Sequence, residues 1–173
     1  IPAVTEARID GDAAADMLVQ RGYFEAITYS FIEPGQHDLF APGAPSLTLS
    51  NPISAELATM RASLWPGLAA ALASNQRRQQ SRVRLFEVGR KFIVAGDDGA
   101  LHEVPVIAGI AAGSAVPEQW GAPRAAVDFF DVRADIEGAQ AARIDAVLID
   151  REDKLGAPAG VPRITTLRGL LDL

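Results

Sequence analysis

"NPISAELATMRASLWPGLAAALASNQRRQQSRVRLFEVGRKF", residues 51–92, holds the order of parts that decides the fold. A Pro-led turn comes first, followed by a short extended "MR" piece, an Ala/Leu helix, a basic knot and a strand bearing one Glu. Leu64, Leu68, Leu72 and Asn75 recur at helical spacing. Pro66 suits the first turn, where its missing N–H costs nothing, and the cations Arg77 and Arg78 gather at the end that the helix dipole favours. "SRVRLFEVGRKFIVA" reads as a strand, broken or bulged at Gly89. "GDDG" is a tight turn into "EVPVIAGIAAGSA", whose apolar run and glycines predict a buried strand with close neighbours.

Toward the N-terminus, "DGDAAADMLVQRG" predicts a helix capped by Asp10 or Asp12 and ended by Gly22 in the left-handed conformation. "EAITYSF" alternates, which predicts a half-buried strand with Ile27, Tyr29 and Phe31 on one face. A turn-rich connector with one helical turn at residues 36–40 leads to a second short strand in "SLTLSNP". Toward the C-terminus, "VDFFDVRADIEGAQAAR" predicts a helix capped near Asp131, "DAVLID" a strand and "ITTLRGLLDL" an amphipathic helix. The expected class is α+β, a mostly antiparallel sheet flanked by helices that lie on one side of it.

With 173 residues the chain can bury one sizeable core. No apolar run approaches the roughly 20 residues that span a bilayer, so no membrane role and a cytoplasmic setting are expected. The absence of cysteine excludes disulfides, thiolate metal sites and thiol nucleophiles. A net charge of −6 disfavours whole-surface binding of nucleic acid. The charge is uneven, however: Arg77, Arg78, Arg82, Arg84, Arg90 and Lys91 stand against the single anion Glu87 between residues 77 and 91. Two readings stand for this knot, a solvated helix end followed by an edge strand, and a local tRNA contact through Arg77, Arg78, Arg82 and Arg84.

No Gly-rich dinucleotide fingerprint and no P-loop occurs. His37 and His102, the only histidines, are expected as exposed loop residues rather than metal ligands or members of a triad. No catalytic residue and no metal site is assigned.

"RGYFEAITYSFIEP", "NPISAELATMRASLWPGLAAALASNQRR", "VRLFEVGRKF" and "WGAPRAAVDFFDVRADIE" closely resemble, in order, the core of the bacterial phenylalanyl-tRNA synthetase β-subunit family. The resemblance covers residues 1–138, expected as one class II-like, non-catalytic core domain. Residues 139–173 do not resemble the segment with which the family continues and are expected as a divergent tail, completing that domain or loosely packed on it. Ile1-Pro2 reads as the end of a preceding module.

The resemblance implies a class II synthetase-like core in a heterotetrameric ligase that joins phenylalanine to its tRNA using ATP and Mg²⁺. It implies that the α subunit holds the active site and that this domain is its silent structural partner, with no cofactor in this chain. Active class II cores carry an F-R-x-E signature whose Arg binds the α-phosphate of ATP. By position, Phe92 keeps the aromatic, Ile93 stands at the Arg and Ala95 at the Glu. A hydrocarbon at that position offers no charge or donor fork to a phosphate. The alternative is an independent small-ligand or nucleotide-binding protein on the same scaffold.

"MRASL" resembles a segment that helps line the pocket in active relatives; without the phosphate-binding Arg, Arg61 is expected to pair with Glu87 or another carboxylate, or to meet helix-end carbonyls. Met60, Arg61, Leu64, Trp65, Leu68 and Glu87 are therefore candidates for a structural or α-subunit-facing role.

Overall fold

Two thirteen-residue strands, β4 (Val83–Ala95) and β5 (Ala100–Ala112), carry the fold. In the computed structural model, which describes residues 11–95, 99–121, 125–128, 131, 145–146, 148–149 and 163–164, they pair antiparallel from Val83↔Ala112 to Ala95↔Ala100. Gly99 takes φ 66° in the turn between them, a conformation glycine adopts without a Cβ clash. The ladder runs unbroken through Gly89, so the expected bulge is not there.

Two short strands extend the sheet, β1 (Phe24–Glu25) parallel to β4 and β6 (Asp145–Ala146) parallel to β5, in the order β1-β4-β5-β6. Thirteen antiparallel pairs against two parallel pairs at each flank make the sheet mostly antiparallel. β4 is thus an inner strand, not an edge. A separate antiparallel pair joins β2 (Phe31–Ile32) to β3 (Thr59–Met60), and β7 (Leu148–Ile149) pairs in parallel with β8 (Arg163–Ile164). Ile164 is therefore in a strand where the periodicity predicts a helix; the rest of that segment, and the helix predicted near Asp131, lie outside the described residues apart from Asp131 itself.

The helices are α1 (Gly11–Gln20), α2 (Pro34–Phe40) and α3 (Trp65–Arg77), with one 3₁₀ turn at Ala55–Leu57. They lie on both sides of the sheet rather than one. On one face, Leu64, Trp65, Leu68 and Leu72 pack on Val83, Leu85, Ala108 and Ile110. On the other, Ala14, Leu18 and Tyr23 pack on Phe86 and Ile107. The cause is local: "VRLF" places apolar side chains on alternate faces, so β4 is buried on both, and each face needs its own cover. Fully burying a Leu such as Leu68 or Leu72 contributes roughly 1.5–3 kcal/mol, which makes α3 the larger of the two contributions.

Residues 26–29 depart from the predicted strand. Ala26 N–H still donates to Phe86 O at 2.7 Å, but pairing then lapses until β2. Ile27 and Tyr29 point to solvent at 91% and 74% exposure. "SLTLSNP" likewise contributes one isolated bridge, Thr48↔Thr59, rather than a strand. His37 is buried, not exposed as expected, because the Pro-initiated α2 lies against α3. His102 is exposed on β5. No helix among the described residues is long and apolar enough to cross a membrane.

Candidate functional site

What diverts residues 26–29 from the sheet is a buried charge. Glu87 lies in β4 beneath the start of α3, 3% exposed, and a carboxylate there must be matched by donors. Arg61, one residue past β3 and 4% exposed, supplies the first: its Nη1 donates to Glu87 Oε1 at 2.7 Å. Thr28 supplies the rest, its hydroxyl donating to Oε2 at 2.7 Å and its backbone N–H to Oε1 at 3.4 Å. Charge-assisted bonds of this kind outweigh the modest β-propensity of "AITY". The chain leaves the sheet to serve the carboxylate.

Arg61 is spent on its surroundings as well. Nη1 also donates to Thr28 Oγ1 at 3.0 Å and Tyr29 O at 3.4 Å, and Nε donates to Arg90 O at 2.9 Å. Its backbone N–H donates to Ser30 O, and its carbonyl accepts from Phe92 N–H at 2.9 Å. One residue therefore ties the 28–30 segment to β4 beyond the point where β1 ends. Two glycines make room. A Cβ on Gly89 would come within 2.6 Å of Arg61 Nη2 and 3.1 Å of Leu64 Cδ2, and one on Gly67 would collide with the Thr28 side chain. Gly89 thus marks close approach by a side chain, not a bulge.

The remaining candidates fall into place around this centre. Leu64, Trp65 and Leu68 are core residues at the start of α3, whose first turn Ser63 supports by accepting from Trp65 N–H at 3.2 Å. Met60 is half-buried and pairs with Phe31. Of the six structural or interface candidates, five are buried within the chain itself and so are not available to a partner. Thr28, Gly67, Ile27 and Tyr29 were not legible as members of the site, since alternation assigned three of them to an ordinary strand.

Within this cluster the polar groups are turned on one another. Both oxygens of Glu87 accept hydrogen bonds, and the Arg61 guanidinium faces protein carbonyls and that carboxylate. Ile93, half-buried and opposite His102, brings no charge to this part of β4. Arg90 is held by Glu103 at 2.9 Å. This donor set does not fit a nucleotide triphosphate. No group of three His, Cys, Asp or Glu side chains that could hold a metal occurs among the described residues.

At the other end of the hairpin, the four basic candidates divide. Arg77 and Arg78 are exposed and Arg82 is half-buried, its Nε without a hydrogen-bond partner. Burial, and then the neighbouring Arg84, hold the Arg82 guanidinium below its ordinary range. Arg84 is buried, its Nη2 donating to Ala115 O at 2.7 Å and its guanidinium lying 5.4 Å from the Tyr23 ring centroid. Facing inward, it does not belong with the other three as a nucleic-acid contact.

The model of the family described as "Phenylalanyl tRNA synthetase beta chain CLM domain" matches residues 2–154, which places the chain among aminoacyl-tRNA synthetase domains. The β subunit of phenylalanine–tRNA ligase from Pseudomonas fluorescens is 55% identical over 135 residues, 78% of this chain and 17% of that one. The Vibrio cholerae β subunit is 48% identical over 133 residues, 76% of this chain and 17% of that one. Among solved structures, the pyrrolysyl-tRNA synthetase of Desulfitobacterium hafniense aligns with a TM-score of 0.48 and 19% identity, over 76% of this chain and 44% of that chain. The chain belongs to the phenylalanyl-tRNA synthetase β-chain CLM domain family. It spans about a sixth of the length of the curated relatives it matches, 17% of the Pseudomonas fluorescens protein.

Proposed function

We propose that this domain is a catalytically silent core of a phenylalanine–tRNA ligase β subunit, a structural partner of the α subunit in which phenylalanine is attached to its tRNA. ATP and Mg²⁺ serve the whole enzyme in this reading, the setting is cytoplasmic, and no residue of this chain holds either ligand. The single observation that carries it is an Arg61 engaged by Glu87, the Thr28 hydroxyl and backbone carbonyls, beside a strand on which Ile93 stands, by the resemblance, at the phosphate-binding position. A transition-state charge at phosphorus would have no fixed cation to meet on this strand, and such electrostatic help is usually the largest catalytic contribution. Residues 1–138 form the core in this reading, and the parallel pairing of β6 with β5 supports the tail's completing the same sheet.

Ile27 and Tyr29 supply the partner-facing surface. Both are large, exposed and flank Thr28, which the Glu87 carboxylate pins in place. An apolar pair already immobilised loses little entropy on binding.

Size-exclusion chromatography of the chain co-expressed with an α subunit, alone and within the longer β subunit, tests the partnership. A complex is expected, weaker for the isolated chain; no association in the longer context would rule the proposal out. Phenylalanine-dependent ATP–pyrophosphate exchange should be absent for the chain alone, and its melting temperature should not move with ATP or phenylalanine. Stabilisation by either ligand would instead favour a nucleotide- or small-ligand-binding protein.

A further inference from the structure

The sheet has one long open edge, and its chemistry depends on which residues of β5 face it. Along β4, Phe86 O accepts from Ala26 N–H, Phe92 N–H donates to Arg61 O and Arg90 O accepts from Arg61 Nε. The even-numbered residues of β4 therefore turn their backbone groups away from β5, and the odd-numbered ones bond to it. In the register Val83↔Ala112 to Ala95↔Ala100, His102, Val104 and Val106 lie opposite odd-numbered residues and point into the ladder. Leu101, Glu103 and Pro105 alternate with them and point outward. Among the described residues that outer edge is met only by β6, at Ala108 and Gly109.

We propose that Pro105 keeps this chain from pairing edge to edge with a second copy of itself through β5. The proposal goes beyond the structural-partner reading and does not rest on it. An open strand is a template for another strand, and an antiparallel pair related by a two-fold axis is self-complementary, so a second copy is the occupant this edge fits by construction. Leu101 and Glu103 each offer it a donor and an acceptor; Pro105 offers only its carbonyl. Pro105 is the one proline between residues 83 and 112, and it stands where a missing N–H takes nothing from the β4–β5 ladder. One residue earlier or later it would have removed a bond from the hairpin itself. Its position therefore harms an added strand and spares the fold.

The registers bear this out. A two-fold pairing centred on Glu103 sets Pro105 opposite the copy's Leu101, and the next register sets it opposite the copy's Glu103. Either way a carbonyl of each copy loses its donor, and the pyrrolidine ring fills the space the other backbone needs. Glu103 adds a smaller deterrent, since the first register brings two carboxylates directly opposite each other. Arg90, 2.9 Å from that carboxylate, offsets part of the repulsion, which leaves Pro105 as the main obstacle. The other flank of the hairpin is closed by different means, because Arg61 occupies Arg90 O and Phe92 N–H there.

The test is sedimentation velocity of the full chain and of Pro105→Thr, together with amide exchange followed by NMR. Threonine restores the N–H, suits a strand and adds little apolar surface. Pro105→Thr should self-associate at least about tenfold more tightly than the parent chain, as one restored donor from each copy requires. Adding Glu103→Thr should tighten the association further. In the parent, the Leu101 and Glu103 amides should exchange much faster than those of His102 and Val104; in Pro105→Thr they should gain protection as protein concentration rises. Slow exchange at Leu101 and Glu103 in the parent would overturn the proposal, because the edge would then already be paired, and this measurement needs no variant to fold. Association of Pro105→Thr without protection of those two amides would also overturn it, by placing the contact on another surface such as Ile27 and Tyr29. A double variant that keeps the parent's circular dichroism and associates no more tightly than the parent would do the same.

Discussion

Arg61 and Arg82 lie on either side of α3 and are held in opposite ways. Arg61 is taken fully out of water and its guanidinium is matched by a carboxylate, a hydroxyl and two carbonyls. Arg82 is half withdrawn, stands beside another cation and keeps a buried Nε with no partner. The first charge is consumed inside the protein and fastens three segments together. The second keeps one buried donor unmatched. A buried ion on an inherited scaffold is therefore informative only after its donors and acceptors have been counted.

Removing the match from Arg61 tests that contrast most severely. Glu87→Leu strands a guanidinium in the core and should lower unfolding stability by about 3–5 kcal/mol, read as a shift in urea midpoint with an unchanged slope. Replacing both partners, Arg61→Met with Glu87→Leu, should cost clearly less than the sum of the single changes; simple additivity would mean the pair is not coupled.

Gly67→Ala sets two ordinary rules against each other. Helix propensity alone forecasts a gain of about 1 kcal/mol, whereas collision with Thr28 forecasts a loss of about 1–3 kcal/mol. The collision should prevail, because the Thr28 atoms in the way include its Cβ and its side chain is bound to Glu87. At the unsatisfied end, Gln79→Gly should raise stability by roughly 1 kcal/mol, since it relieves a left-handed residue without touching a cation. Smallest of all, Ile27→Ser and Tyr29→Ser should change the stability of the lone chain by less than about 0.5 kcal/mol. The same variants should measurably weaken capture of the α subunit, which co-purification would read.

Much of this was legible beforehand, and the reasons are specific. The Leu64–Leu68–Leu72 stripe and Pro66 announced α3, and the apolar runs on either side of the turn announced β4 and β5. Periodicity reports such local patterns well. It failed at residues 26–29 because alternation cannot see a carboxylate fifty-nine positions away that claims Thr28. It also misread Gly89, where a bulge and the approach of a distant guanidinium predict the same residue. The helices' distribution over both faces was missed although "VRLF" implied it, since two-sided burial needs two covers. Arg61 and Glu87 were singled out together, but the use of Arg61 to close the flank of β4 depended on backbone bonds that no side-chain pattern encodes.

The long reach from Thr28 to Glu87 also bears on the time course of folding. The hairpin can zip from its turn with small loops to close, whereas Thr28 must find a carboxylate fifty-nine residues away. Contacts that form after the barrier govern escape from the native state rather than entry to it. Stopped-flow chevrons of Thr28→Val should then show a steeply quickened unfolding arm and a nearly unmoved refolding arm. The threonine works as a latch, setting how long the domain stays shut.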